Sequence, residues 1–221
     1  MVPYHRGVDA VIFDLFGVLI RPPTARGRQR LRTLSGLGEP SFGTLYWQHR
    51  PGYDAGGLSS AEYWRLIGAQ AGRSYDPGQV RALVRADAAM WARPSRLMVA
   101  ALLALRPAGI RTAILSNVPG DIWHALTGQH AWLLAPDAAT LSFQAGAVKP
   151  DPAIYRRCLG QLGVAPEQAL FVDDRLENIA AARELGLHTR RLTPHGQPLL
   201  AASLRRCARR RARGHGPEPG S

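Results

Sequence analysis

The chain has 221 residues, 46% of them apolar, with a formal charge of +12. That length holds one sizeable domain or a domain with a large insertion, and its longest apolar stretch, Leu97 to Leu105 between two arginines, is too short to span a bilayer. Only one of the 28 basic side chains is lysine, Lys149; so uniform an arginine bias reflects composition more than a polyanionic partner.

The first predicted element is a strand over 10–15 in "VIFDLFGVLI", an apolar run that stops on Asp14. Asp9 and Asp14 inside this stretch argue against a signal peptide. With two cysteines, Cys158 and Cys207, too few for a disulfide framework, the expected location is cytoplasmic. Residues 21–92 offer helical patterns ("ARGRQRLRTL", "SAEYWRLIGAQAG", "PGQVRALVRADAAMW") and no good strand, so they read as a helical insertion. Its aromatic residues Tyr46, Trp47, Tyr53, Tyr63 and Trp64 either line a pocket or form the insertion's own small core, the second being the simpler reading. Helix 95–107, strand 110–115, a short helix near 121–127, a weak strand at 140–143, helix 152–162, strand 169–172, helix 176–185 and strand 188–192 follow. This alternation predicts an α/β fold, a Rossmann-like parallel sheet flanked by helices, with a small α-helical cap. The domains are then 1–20 with 93–203 as the core, 21–92 as the cap, and 204–221 as a disordered basic tail. That tail carries six arginines against one glutamate from Arg205 onward, and it is where nucleic acid or another anionic surface would be met, if anywhere.

Boundaries have local causes. In "KPDPAIY", Asp151 is placed to cap a helix whose first position is Pro152. Gly163 and Gly186 stand where helices must stop in a left-handed conformation.

Parallel strands align their C-terminal ends along one edge, where ligands of open α/β sheets bind. Polar residues end three strands there: Asp14, Ser116–Asn117 and Asp173–Asp174. Lys149, ahead of the helix after the weak strand, reaches the same edge. Two like charges 4 Å apart repel by about 4 kcal/mol at an effective dielectric near 20, so converging Asp14, Asp173 and Asp174 need cations or protons. Lys149 supplies one cation. A divalent ion held by few carboxylates and waters suits Mg²⁺, and an ammonium plus a metal around an exposed carboxylate make a phosphate receptor. An ammonium is also more compact than a guanidinium, a reason to keep one lysine at a cramped site. Ser116 and Asn117, near a helix start, offer donors to anionic oxygens.

Together these segments resemble the haloacid dehalogenase-like (HAD) hydrolase superfamily, in the subgroup with a helical cap after the first motif. "VIFDLFGVLI" is similar to its first motif, "AILSN" to the second, "VKPDPAIY" to the third and "FVDDRLENIAAARELG" to the fourth, in the family's order across residues 10 to 192. The resemblance implies that Asp14 is a nucleophile forming an aspartyl-phosphate, and that Ser116, Asn117 and Lys149 serve the phosphoryl group, Asn117 by supporting its loop. It implies that Asp14, Asp174, the backbone carbonyl of Phe16 and, through water or by orientation, Asp173 serve Mg²⁺, with Asn178 as a polar neighbour. Phe16 departs from the pattern, because family phosphatases usually carry an acid/base Asp there. The expected function is a Mg²⁺-dependent phosphatase of a small phosphorylated metabolite. Two alternatives stay open, a 2-haloacid dehalogenase and a non-catalytic binding or regulatory protein, both resting on Phe16.

Overall fold

The computed structural model describes residues 8–214. Five strands, β1 (Ala10–Phe13), β2 (Arg111–Ser116), β3 (Ala138–Leu141), β4 (Ala169–Asp173) and β5 (His188–Arg191), form one sheet in the order β3-β2-β1-β4-β5. Every pairing is parallel. The order runs outward from β1 to β3, then returns to β4 on the other side of β1. This places the topological switch point, where open α/β sheets gather ligands, beside β1.

Alternate residues of a strand face opposite sides, and β1 divides accordingly. Val11 and Phe13 join a core with α6 (Arg96–Leu105) and α7 (Gly120–Thr127). Ala10 and Ile12 join a second core with α9 (Pro152–Leu162) and α10 (Leu176–Glu184). The central strand is buried on both faces, which accounts for its unbroken apolar run.

Between β1 and β2 lies the helical insertion: α1 (Ala25–Ser35), α2 (Ser41–Gln48), α3 (Arg50–Asp54), α4 (Ser60–Gln70) and α5 (Pro77–Met90). Capping boxes open α4 at Ser59/Glu62 and α5 at Asp76/Gln79, each satisfying two otherwise orphaned N–H groups. Its separate core contains Tyr46, Tyr53, Tyr63 and Trp64. Trp47 differs from them, being 55% exposed. The two chain segments that enter and leave the cap touch, the Arg21 N–H donating to Arg93 O at 2.8 Å and the Ser95 N–H to Leu19 O at 2.8 Å.

α3 fastens the cap to the sheet edge. The Tyr53 hydroxyl donates to the Asp121 carboxylate, 2.6 Å from its nearer oxygen. The Ser142 hydroxyl, from the short helix α8 (Ser142–Ala145), donates to the backbone carbonyl of Asp54. Gly56, at φ +78°, lies so close to Phe143 that a Cβ would stand 2.8 Å from its carbonyl oxygen.

Two expectations change. The weak strand ends at Leu141, and Ser142 already begins α8. The tail expected to be disordered from 204 is helical as far as Gly214, in α11 (Gln197–Gly214); residues 215–221 lie outside the described residues. Leu200, Ala201, Leu204, Cys207 and Ala208 recur at helical spacing and enter the first core, a stripe that the surrounding arginines disguise. Arg211 ties this helix to the start of the sheet, donating to Val8 O at 2.9 Å and to Asp9 Oδ1 at 2.7 Å. That hydrogen bond holds the Asp9 carboxyl below its ordinary range. The helix boundaries read from the sequence hold at Asp151, whose Oδ1 accepts from the Ala153 N–H at 2.8 Å, and at Gly163 and Gly186, both at positive φ.

Candidate active site

Asp14 leaves β1 at the sheet's C-terminal edge. Its N–H donates to Val172 O at 2.8 Å, continuing the ladder with β4, while its Oδ1 accepts from the Leu15 N–H at 2.7 Å. The chain then turns sharply, with the Gly17 N–H donating to Ile20 O at 2.7 Å. Gly17 has φ +88°, and a Cβ there would stand 2.4 Å from Asp174 Oδ2. Glycine is required twice over, by the left-handed backbone and by the approach of Asp174.

Lys149 joins two strands. Its Nζ donates to Asp14 Oδ1 at 2.6 Å and to Asp173 Oδ2 at 2.8 Å, and the residue is 5% exposed. Asn117, just past β2, fixes its backbone in two places: Nδ2 donates to Lys149 O at 2.9 Å, and Oδ1 accepts from the Lys149 N–H at 2.7 Å. The Asn117 amide is thereby occupied in positioning the Lys149 loop. Asp173 is fully buried and richly hydrogen-bonded. Besides Lys149 it accepts from the Arg175 N–H at 2.8 Å and from Asn178 Nδ2 at 3.0 and 3.1 Å.

Asp174 is different. Among the described residues its carboxylate accepts a hydrogen bond from its own backbone N–H alone, yet one oxygen each from Asp14, Asp173 and Asp174 lie within 4.8 Å of one another. Three carboxylates thus gather around a single ammonium. The electrostatics reflect that excess. Burial, with the Asp173 and Asp174 charges, pushes the Asp14 carboxyl upward against the pull of Lys149. Burial and then Asp173 push Asp174 upward too. On Lys149, burial alone would favour loss of the proton, but the two carboxylates outweigh it and the ammonium is strengthened. All three shifts retain protons, as a site short of positive charge should. The all-oxygen donor set and the closely cradled, unclaimed Asp174 fit a small hard divalent cation.

A cavity of about 230 Å³ opens over these groups. Asp14, Lys149, Asp174 and Asn178 line its floor, while Trp47, Arg50, Asp54 and Trp91 come from the cap and its exit. Phe16 also lines it, its ring 4.8 Å from that of Trp91. The position two residues beyond Asp14 is therefore an aromatic wall. Ser116 is not among the lining residues. It is fully buried, its hydroxyl 3.5 Å from Asn117 O. Reading the sequence alone missed Arg50, Asp54 and Trp91. Arg50 and Asp54 form an i, i+4 ion pair, but the intervening Pro-Gly reads as a helix break, and one arginine among 27 carries no signal.

Comparison with known proteins agrees with this frame. The family model for haloacid dehalogenase-like hydrolases matches residues 8–186, and the chain belongs to that family. It is 28% identical over 180 residues to the sesquiterpene phosphatase astK of Aspergillus oryzae, covering 80% of this chain and 86% of that one. It is 27% identical over 219 residues to a phosphoglycolate phosphatase of Pseudomonas putida, covering 87% and 73%. Among solved structures, a HAD family enzyme of Bacteroides thetaiotaomicron, in complex with magnesium and inorganic phosphate, superposes with a TM-score of 0.70 at 22% identity, covering 85% of this chain and 95% of that one. The L-2-haloacid dehalogenase of Xanthobacter autotrophicus superposes at 0.62 with 21% identity, covering 85% and 80%. The chain is a HAD-family hydrolase whose distant relatives include phosphatases. Among the described residues no helix is long and apolar enough to cross a membrane.

Proposed function

We propose that the protein is a Mg²⁺-dependent phosphatase acting on a small phosphorylated metabolite through an aspartyl-phosphate. One observation carries the reading: Lys149 bridges Asp14 and Asp173 at 2.6 and 2.8 Å while Asp174, in the same acidic trio, stays unclaimed.

Asp14 is the nucleophile. Its Oδ2 takes none of the hydrogen bonds that hold Oδ1, so that oxygen is free to attack phosphorus in line. Lys149 offsets the negative charge that would otherwise repel a phosphoryl group from a carboxylate. Asp173 and Asn117 are positioning residues, one holding the ammonium and the other the Lys149 loop. Asp14, Asp174 and the Phe16 carbonyl would hold Mg²⁺, which supplies charge neutralisation of the phosphoryl oxygens when bound. The cap, pinned by Tyr53 and the Asp54 carbonyl, roofs the cavity, and its release would admit substrate.

The 2-haloacid dehalogenase reading is favoured by the Phe16–Trp91 wall. The acidic trio weighs against it, because a haloacid's own carboxylate would be repelled there.

Phosphate release from p-nitrophenyl phosphate, measured with Mg²⁺ and with EDTA, tests the proposal. The expected result is metal-dependent release that falls by on the order of 10⁴-fold or more in Asp14→Asn. Chloride release from 2-chloropropionate that is indifferent to EDTA would overturn it in favour of the dehalogenase. Silence in both assays from an ordered protein would point to a binding role.

A further inference from the structure

The scheme above leaves a proton unassigned. The departing oxygen of an alkyl phosphate must gain a proton as its P–O bond breaks, and the water that follows must lose one. Phe16 carries none to give. Lys149 is engaged by two carboxylates, and Asp174 belongs to the acidic trio.

One more carboxylate faces the cavity. Asp54, at the end of α3, lines it from the cap side. Its Oδ1 accepts from Arg50 Nε at 2.9 Å. Its Oδ2 takes no hydrogen bond among the described residues, and it is not among the unpartnered side-chain atoms sealed from solvent. Its backbone is fastened to the core, because its carbonyl accepts from Ser142 and Gly56 abuts Phe143 two residues on. One carboxylate oxygen is thus fixed by a guanidinium, the other is open, and the whole is anchored to the domain that carries Asp14.

The charges around Asp54 come from several elements. Arg50 lies on its own helix, and Asp87 reaches the same guanidinium from α5 at 3.3 Å. Arg175 acts from the turn before α10, and the Tyr63 hydroxyl lies nearby on α4. Within the cap, two carboxylates share one guanidinium in buried surroundings. A surplus negative charge of that kind raises the proton affinity of both carboxyl groups. Burial raises the Asp54 carboxyl above its ordinary range, against Arg50 and Arg175.

We propose that Asp54 is the general acid and base of this site, delivering and recovering the proton that Phe16 cannot; the inference rests on the phosphatase reading. Asp14 attacks phosphorus, the bond to the leaving oxygen breaks, and the proton on Asp54 passes to that oxygen, giving the alcohol. The Asp54 carboxylate then takes a proton from water as the water oxygen attacks phosphorus. The bond to Asp14 breaks, inorganic phosphate departs, and both carboxyl groups return to their starting states.

The test compares leaving groups in the first turnover, before the shared hydrolysis of the intermediate limits the rate. Nitrophenolate needs no proton to depart, whereas 2-phenylethanol does. In Asp54→Asn, first-turnover release of 2-phenylethanol from its phosphate should slow by about 10²–10⁴-fold. Release of nitrophenolate, which draws no proton from Asp54, should slow by less than about 10-fold. The wild-type alcohol-release rate should fall as pH rises and Asp54 loses its proton, and this limb should vanish in the variant. Asp54→Glu, which keeps the carboxyl and guards against misfolding of the first variant, should slow alcohol release more than nitrophenolate release while retaining the pH limb. Equal slowing of both products, or of neither, with the wild type active, overturns the role of Asp54 and leaves the phosphatase intact. A folded wild type that releases neither product overturns both.

Discussion

Two buried cations in this molecule each stand between two carboxylates, and they are built differently. Lys149 sits where β1 and β4 end, 2.6 Å from Asp14 and 2.8 Å from Asp173. Arg50 sits among the cap helices, 2.9 Å from Asp54 and 3.3 Å from Asp87. Around Arg50 the remaining valences are met locally: the Tyr46 hydroxyl donates to Asp87 at 2.7 Å and accepts from Arg50 at 2.6 Å. Around Lys149 the excess grows, because Asp174 adds a third carboxylate facing the cavity. A planar guanidinium, satisfied on several edges, suits a knot that ties helices together. A compact ammonium leaves room beside Asp14 for a further group. A cation between two carboxylates therefore serves a helix joint in the cap, from which Asp54 reaches the cavity, and an open receptor at the sheet edge.

Exchanging the cations strains this contrast most. Lys149→Arg keeps the charge but not the shape, and phosphate release should fall by about 10²–10³-fold, the loss typical of one displaced charge-stabilising donor, in a protein whose circular dichroism is unchanged. Retained activity would mean that the site tolerates a fork and is not cramped. Arg50→Met should act on stability and, by releasing Asp54, on alcohol release as well. It strands Asp54 and Asp87 without a counter-charge, and a broken buried pair costs about 3–5 kcal/mol. That predicts a melting temperature lower by about 6–20 °C for a chain of this size. A melt within a degree or two of wild type would show that the cap knot holds nothing together.

The smallest effect concerns pH. Burial pushes Asp87 up to about 6, with Arg50 pulling the other way. The native state then keeps a proton that the unfolded chain has already lost above its ordinary value of 3.8. The stability associated with Asp87 is full at low pH and is lost as pH rises through about 4 to 6. Urea unfolding of Asp87→Asn across that range should show a shallower slope than the wild type. A variant that tracks the wild type in parallel would place the proton elsewhere.

Much of the frame was legible because it depends on local pattern. Short apolar strands ending in Asp14, Ser116 and Asp173 announce a parallel sheet with a polar edge, and Gly163 and Gly186 mark helix ends that only a left-handed residue can close. A single lysine in an arginine-rich chain was visible as an oddity, and the structure brings it against Asp14 and Asp173. What was hidden depends on tertiary contact. Ser116 ends β2 in sequence, yet its side chain is buried away from the cavity. Arg50 and Asp54 are ordinary residues in "RPGYD" until α3 swings them over the sheet edge. The core stripe of α11, from Leu200 to Ala208, is interleaved with Arg205 and Arg206, so its charge masked its periodicity.

The most direct measurement is a rapid acid quench of the protein mixed with Mg²⁺ and an aryl phosphate carrying radiolabelled phosphorus, followed by peptide mapping. Label should appear on the peptide that contains Asp14, be released by hydroxylamine as an acyl phosphate is, and disappear when unlabelled substrate is chased in. Turnover that leaves this peptide unlabelled at the earliest quench, and that persists in Asp14→Asn, would contradict the account.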